Sequence, residues 1–194
     1  MVQKDKNRTI PAVNGDRRRR LWVVVPSVAV LLLILILSSQ SYTQQDLRPL
    51  LSGDDVQEWL MKLLHDWNFS WNGQEWNVSS VGTLNLAEFL IRKTAHLIIY
   101  ACLSFTLLFA FWVLLPWGKL TVVCMTTLLS LLIALFDEFN QQYSEARTPR
   151  LSDVVIDMYG VLLGLALFFA LRMIRAAFRL RREKMRYRSE GWER

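Results

Sequence analysis

Apolar positions in this chain collect into long unbroken blocks rather than recurring at the spacing of a soluble core. The blocks are 21–37, 95–115, 120–136 and 154–171, of 17, 21, 17 and 18 residues. None contains Lys or Arg, and only Asp157 brings an acid into them. A bilayer core about 30 Å thick takes roughly 20 helical residues, with about 17 as the short limit. A helix also satisfies its own backbone hydrogen bonds in lipid. The pattern predicts an all-α polytopic membrane protein, a four-transmembrane-helix bundle.

The stretch 38–94, between the first two blocks, has a different period. In "SGDDVQEWLMKLLHDW" the residues Val56, Trp59, Leu60, Leu63, Leu64 and Trp67 fall at helical spacing, which predicts a short amphipathic helix in an outer segment. Ser52 and Asp55 stand three apart, as in a capping box. Trp59, Trp67, Trp71 and Trp76 suit headgroup depth, and packing as a cap on the bundle is the alternative. "FSWNGQEWNVSS" reads as a hairpin around Asn72-Gly73.

Charge orients the bundle. Of the 23 Lys and Arg residues, 17 lie before the first block, after the last, or in the turn "PWGK". Four crossings place all three segments on one side, which the positive-inside rule makes the cytoplasm. The reading is a cell-membrane, multi-pass protein with both termini cytoplasmic. Its parts are a basic tail over 1–20, a membrane domain over 21–175 and a second basic tail over 176–194. The net charge of +6 then reflects topology and anionic lipid headgroups as partners, not nucleic acid. The first 40 residues have the basic-then-apolar order of a signal peptide but lack a small-x-small cleavage site, so they read as an uncleaved anchor. Cys102 and Cys124 fall inside blocks and read as small apolar fillers, without a disulfide or zinc spacing.

At 100° per residue, each of the last three blocks carries a polar or small stripe. Lys93, His96, Tyr100 and Ser104 share one face. Ser130, Ala134, Asp137 and Gln141 share another, with Glu138 beside it. Asp153, Asp157, Gly160 and Gly164 share a third. The topology puts the polar ends of all three together at the outer leaflet. Asp157 lies about one turn inside its block, where an ionised carboxylate is costly and normally faces a partner. Lys93, His96, Arg147 and Arg150 are the available partners. Gly160 and Gly164, four apart, permit a neighbouring helix to come close. Such a cluster reads either as an ion-paired latch or as a polar site open to the outer leaflet.

"DEFNQQYSEARTPRLSDVVIDMYGVLLG" resembles the signature of the VanZ-like family, bacterial membrane proteins named after a teicoplanin-resistance accessory protein. The matching residues are Asp137, Glu138, Gln141, Arg147, Asp153, Asp157, Gly160 and Gly164. "RKTAHLIIYACLSF" resembles the family's Lys-x-x-His-x-x-x-Tyr helix through Lys93, His96 and Tyr100, and "SSQ" at 38–40 resembles the motif after its first span. The chain departs from the pattern at Asn140, where the family often has His, and at Glu145-Ala146, where it often has Pro-Gly.

The resemblance implies a cell-envelope factor that affects susceptibility to lipoglycopeptide or teicoplanin-like antibiotics, with a lipid-linked precursor or the lipoglycopeptide itself as ligand. No cofactor or metal is expected, and an enzyme is the less favoured class. The alternative is a membrane-embedded hydrolase or transferase acting on a lipid-linked phosphate. There His96 would be the base or nucleophile, Lys93 and the arginines would stabilise phosphoryl charge, and the carboxylates would hold a divalent cation.

Overall fold

The computed structural model describes residues 21–40, 45–141 and 151–190, the side chains of 141 and 186–190 excepted. Its elements run α1 (Val25–Ser39), α2 (Arg48–Leu51), α3 (Asp54–Leu64), β1 (Asn68–Trp71), β2 (Gln74–Asn77), α4 (Val78–Val81), α5 (Thr83–Leu114), α6 (Lys119–Gln141) and α7 (Leu151–Glu190). Three of these helices, over Thr83–Leu114, Lys119–Asn140 and Leu151–Met185, are long and apolar enough to cross a membrane. The first apolar block forms the shorter α1, 15 residues long, or about 22 Å at 1.5 Å per residue. Pro26 fits its first turn, where a missing N–H breaks no bond.

The bundle is apolar outside and has a small and polar stripe buried within it. Leu32 and Ile36 on α1, Leu128 and Leu132 on α6, and Leu162 and Leu167 on α7 are exposed. Val122, Thr126, Ser130, Ala134 and Asp137 form one buried stripe along α6. A soluble helix arranges the two faces the other way, so this pattern suits a lipid surround. Cys102 and Cys124 are free and exposed. They lie on the outer surface of the bundle rather than filling its interior.

α5 lies at the centre, against α1, α6 and α7. Its contact with α7 is backbone-close. A Cβ at Gly160 would overlap the Leu97 carbonyl oxygen, and one at Gly164 would overlap the Ala101 carbonyl oxygen and Ser104 Oγ. The space that Gly164 leaves lets Ser104 Oγ donate across the helices to the Val161 carbonyl oxygen at 3.0 Å. Small residues allow this kind of approach where no water-driven hydrophobic force acts between helices.

The segment before α5 folds down onto that helix. Leu60 and Leu64 of α3 bury against Leu86 and Ala87, with Phe69, Trp76 and Val81 packed around them. Trp59 and Trp67 stay exposed, so α3 is a cap with an outward apolar face. Its start differs from the sequence reading. Ser52 has helical dihedrals at the end of α2, so its hydroxyl turns back to the Pro49 carbonyl oxygen at 2.9 Å. The N-cap of α3 is Gly53, without a side-chain cap bond. A capping box forms instead between Asn77 and Ser80, at the entry to α4.

The hairpin pairs Asn68 with Asn77 and Trp71 with Gln74. Asn72 and Gly73 both have positive φ, 52° and 76°, as a two-residue turn of this hand requires. Gly82, at φ 83°, leads into α5, and Leu115 ends that helix in extended backbone before Pro116.

Candidate functional site

The start of α5, the end of α6 and the start of α7 meet at one end of the bundle, under the segment that precedes α5. An ion pair and a histidine–carboxylate contact tie α5 to α7 there. Lys93 Nζ lies 2.5 Å from Asp153 Oδ1. One turn deeper, His96 Nδ1 lies 3.1 Å from Asp157 Oδ1. The spacing Lys93–His96 on one helix matches Asp153–Asp157 on the other because three and four residues both make about one turn.

The outer pair is held from above. Lys93 Nζ stands 5.8 Å from the centre of the Trp71 ring and 5.3 Å from that of Phe89, within cation–π range. Trp76 stacks on Phe89 at 3.9 Å between centroids. At the hairpin tip, Asn72 Nδ2 donates to Ser152 Oγ at 2.8 Å. Asp153 lies in the first turn of α7, where the helix dipole favours an anion.

The inner pair is buried. Asp157 is 2% exposed and Asp137, arriving from α6, is 5% exposed. His96, Asp137 and Asp157 bring one potential ligand atom each to within 4.8 Å of one another. Tyr100, one turn along from His96, is 1% exposed. Glu138 is buried beside Asp137 but does not join the three. Gly160 and Gly164 set the α5–α7 distance, as described above.

Beside this cluster lies a cavity of about 310 Å³. α1 lines it with Ile34, Leu37 and Ser38, α5 with Arg92, His96 and Tyr100, and α6 with Asp137, while Gln45 and Leu47 cover it. The "SSQ" stretch has a visible role in closing it. Asn140 Nδ2 donates to Ser38 Oγ at 3.1 Å, and Gln45 Nε2 donates to the Leu37 carbonyl oxygen at 2.6 Å.

Of the residues singled out from sequence, Lys93, His96, Tyr100, Asp137, Asp153 and Asp157 come together. Gln141 ends α6, with its side chain outside the description. Arg147 and Arg150, and any pairing of Arg147 with Asp157, lie outside the described residues. His96 is the partner that Asp157 has among those described.

Sequence reasoning missed a second charged group. Glu88, 3% exposed, has Arg48 Nε at 3.5 Å and Arg92 Nη1 at 3.6 Å. The Arg92 contact is an i,i+4 pair and was there to be read. The Arg48 contact depends on how α2 docks on α5. Arg48 also pairs with Asp46 at 2.8 Å, and its side-chain and backbone donors pull the Asp46 carboxyl down to about 2.

The VanZ/LLP1 family model matches residues 23–173. The chain belongs to the VanZ/LLP1 family. The match runs from the start of α1 into α7, so every residue of the VanZ cluster and cavity falls inside it. Much of the basic tail lies beyond. No curated protein and no solved structure matches the chain significantly.

His96→Ala should leave the Asp157 carboxylate buried beside Asp137 without its imidazole partner. Breaking a buried pair this way costs about 3–5 kcal/mol, toward the low end where water reaches. Asp157→Asn in the same protein should recover much of that loss. Thermal unfolding of the wild type, both single variants and the double variant in one detergent measures the coupling. Additive losses would show that the two groups do not interact.

Proposed function

We propose that this VanZ/LLP1 protein is a bacterial cell-envelope factor that lowers susceptibility to lipoglycopeptide antibiotics. It acts by holding the polar end of an amphiphile in the cavity between α1, α5 and α6. The observation that carries the reading is the composition of that cavity. Ile34, Leu37 and Ile99 give it apolar walls, and His96, Asp137 and Arg92 give it a charged end. Such a site suits a ligand with a lipid tail and an ionic head, as a lipid-linked precursor or a lipoglycopeptide has. Pockets of this kind are mostly apolar, with a few polar groups that fix orientation.

The reading includes four crossings. α1 is short, but Ile34 packs in the bundle core and Leu32, Leu33 and Ile36 face outward, as in the three longer helices. Three crossings would place the basic N-terminal and C-terminal tails on opposite sides. Four place them together, in keeping with the positive-inside rule. The cavity, with Gln45 and Leu47 over it, then faces the outer leaflet. Binding ranks ahead of hydrolysis because it needs nothing beyond the cavity and its charged end.

Deletion of the gene should lower the inhibitory concentration of teicoplanin or daptomycin. Wild-type protein should restore it, and His96→Ala protein at equal membrane abundance should not. Unchanged inhibitory concentrations for both antibiotics would refute the resistance role. Reporter fusions at Arg194 and near Gln74 should give opposite signals, cytoplasmic and external. Matching signals would refute the four crossings.

A further inference from the structure

We propose that His96, Asp137 and Asp157 form a binding site for one divalent transition-metal ion at the charged end of the cavity. Three helices deliver one donor each, from positions far apart in the chain. One ligand atom from each residue already lies within 4.8 Å of the others. In a tetrahedral site with bonds near 2.1 Å, ligand atoms stand about 3.4 Å apart. Closure around an ion therefore asks for side-chain rotations that bring the donors roughly 1 Å closer. Asp137 and Asp157 are buried, and His96 borders the cavity. The cavity gives an ion a route in and leaves room for water to complete its shell.

A second observation points the same way. Tyr100 is 1% exposed and lines the same cavity. Its hydroxyl lies beside the Asp137 carboxylate but at no bonding geometry to any described residue. A buried hydroxyl in that position normally has a hydrogen-bond partner. A water bound to the ion would supply it. The latch formed by His96 and Asp157 does not account for the unmet hydroxyl.

The donor set also selects the ion. One imidazole nitrogen with two carboxylate oxygens suits Mn²⁺, Fe²⁺ or Zn²⁺. Mg²⁺ and Ca²⁺ take oxygen shells. The site stands whatever occupies the rest of the cavity, so its failure and failure of the resistance role are separate results.

The test uses the full chain in detergent, stripped with EDTA and then titrated with Mn²⁺, Zn²⁺ or Mg²⁺. Bound metal is read by plasma mass spectrometry after desalting and stability by thermal unfolding. The expected result is one Mn²⁺ or Zn²⁺ per chain with a raised Tm, and no such response to Mg²⁺. Asp157→Asn should weaken uptake beyond the roughly 10–100-fold loss typical of an outer-shell change. Tyr100→Phe, which keeps the ring and its packing, should weaken it within that range while retaining the ion. Wild-type protein that takes up neither Mn²⁺ nor Zn²⁺ overturns the proposal, and this result depends on no variant folding. Equal uptake by wild type and Asp157→Asn overturns it as well.

Discussion

The architecture at the charged end depends on how closely α5 and α7 approach. Gly160 and Gly164 let the α7 backbone rest on the Leu97 and Ala101 carbonyls. At that distance Ser104 reaches the Val161 carbonyl, and His96 and Lys93 reach Asp157 and Asp153. Without water, a buried carboxylate must find its stabilisation in neighbouring groups. A wider helix separation would lengthen every one of these contacts at once. The small residues and the polar ones are thus parts of one device: the glycines set the gap, and the polar pairs use it.

Around that contact the chain adds parts that order the charged end. The hairpin tip bonds to Ser152 at the start of α7, and Trp71 and Phe89 flank Lys93. From the other side, α1 reaches α6 through Ser38 and Asn140. The cavity lies on this second side, between α1, α5 and α6. Its cover is the segment at Gln45 and Leu47, tied to α5 through Arg48 and Glu88.

Much of this was legible because a helix fixes which residues share a face. The stripes through Lys93, His96 and Tyr100, and through Asp153, Asp157, Gly160 and Gly164, follow from 100° per residue and need no long-range information. The hairpin was legible because Asn72-Gly73 tolerates positive φ. What stayed hidden depends on contacts across long sequence separations. Ser38 and Asn140 are 102 residues apart, and Asn72 and Ser152 are 80 apart. No local pattern encodes either meeting. The Ser52 cap failed for a local reason that the pattern could not show, since the short α2 already holds that residue in a helical conformation. The cavity was invisible for a similar reason: its walls come from α1, α5 and α6 and from the cover, and no single stretch carries its signature.

The claim on which the rest turns is that His96 faces Asp157 across α5 and α7. The chain has two histidines, so a His65→Gln protein carries one imidazole to label. Solid-state NMR in lipid can then measure dipolar coupling between ¹⁵N in His96 and ¹³Cγ in the aspartates. The account predicts strong coupling to one aspartate, lost on Asp157→Asn when asparagine is left unlabelled. That is the result expected of an Nδ1–Oδ1 separation of 3.1 Å. An imidazole with no aspartate carbon in range, or one whose coupling survives the change at Asp157, would contradict it.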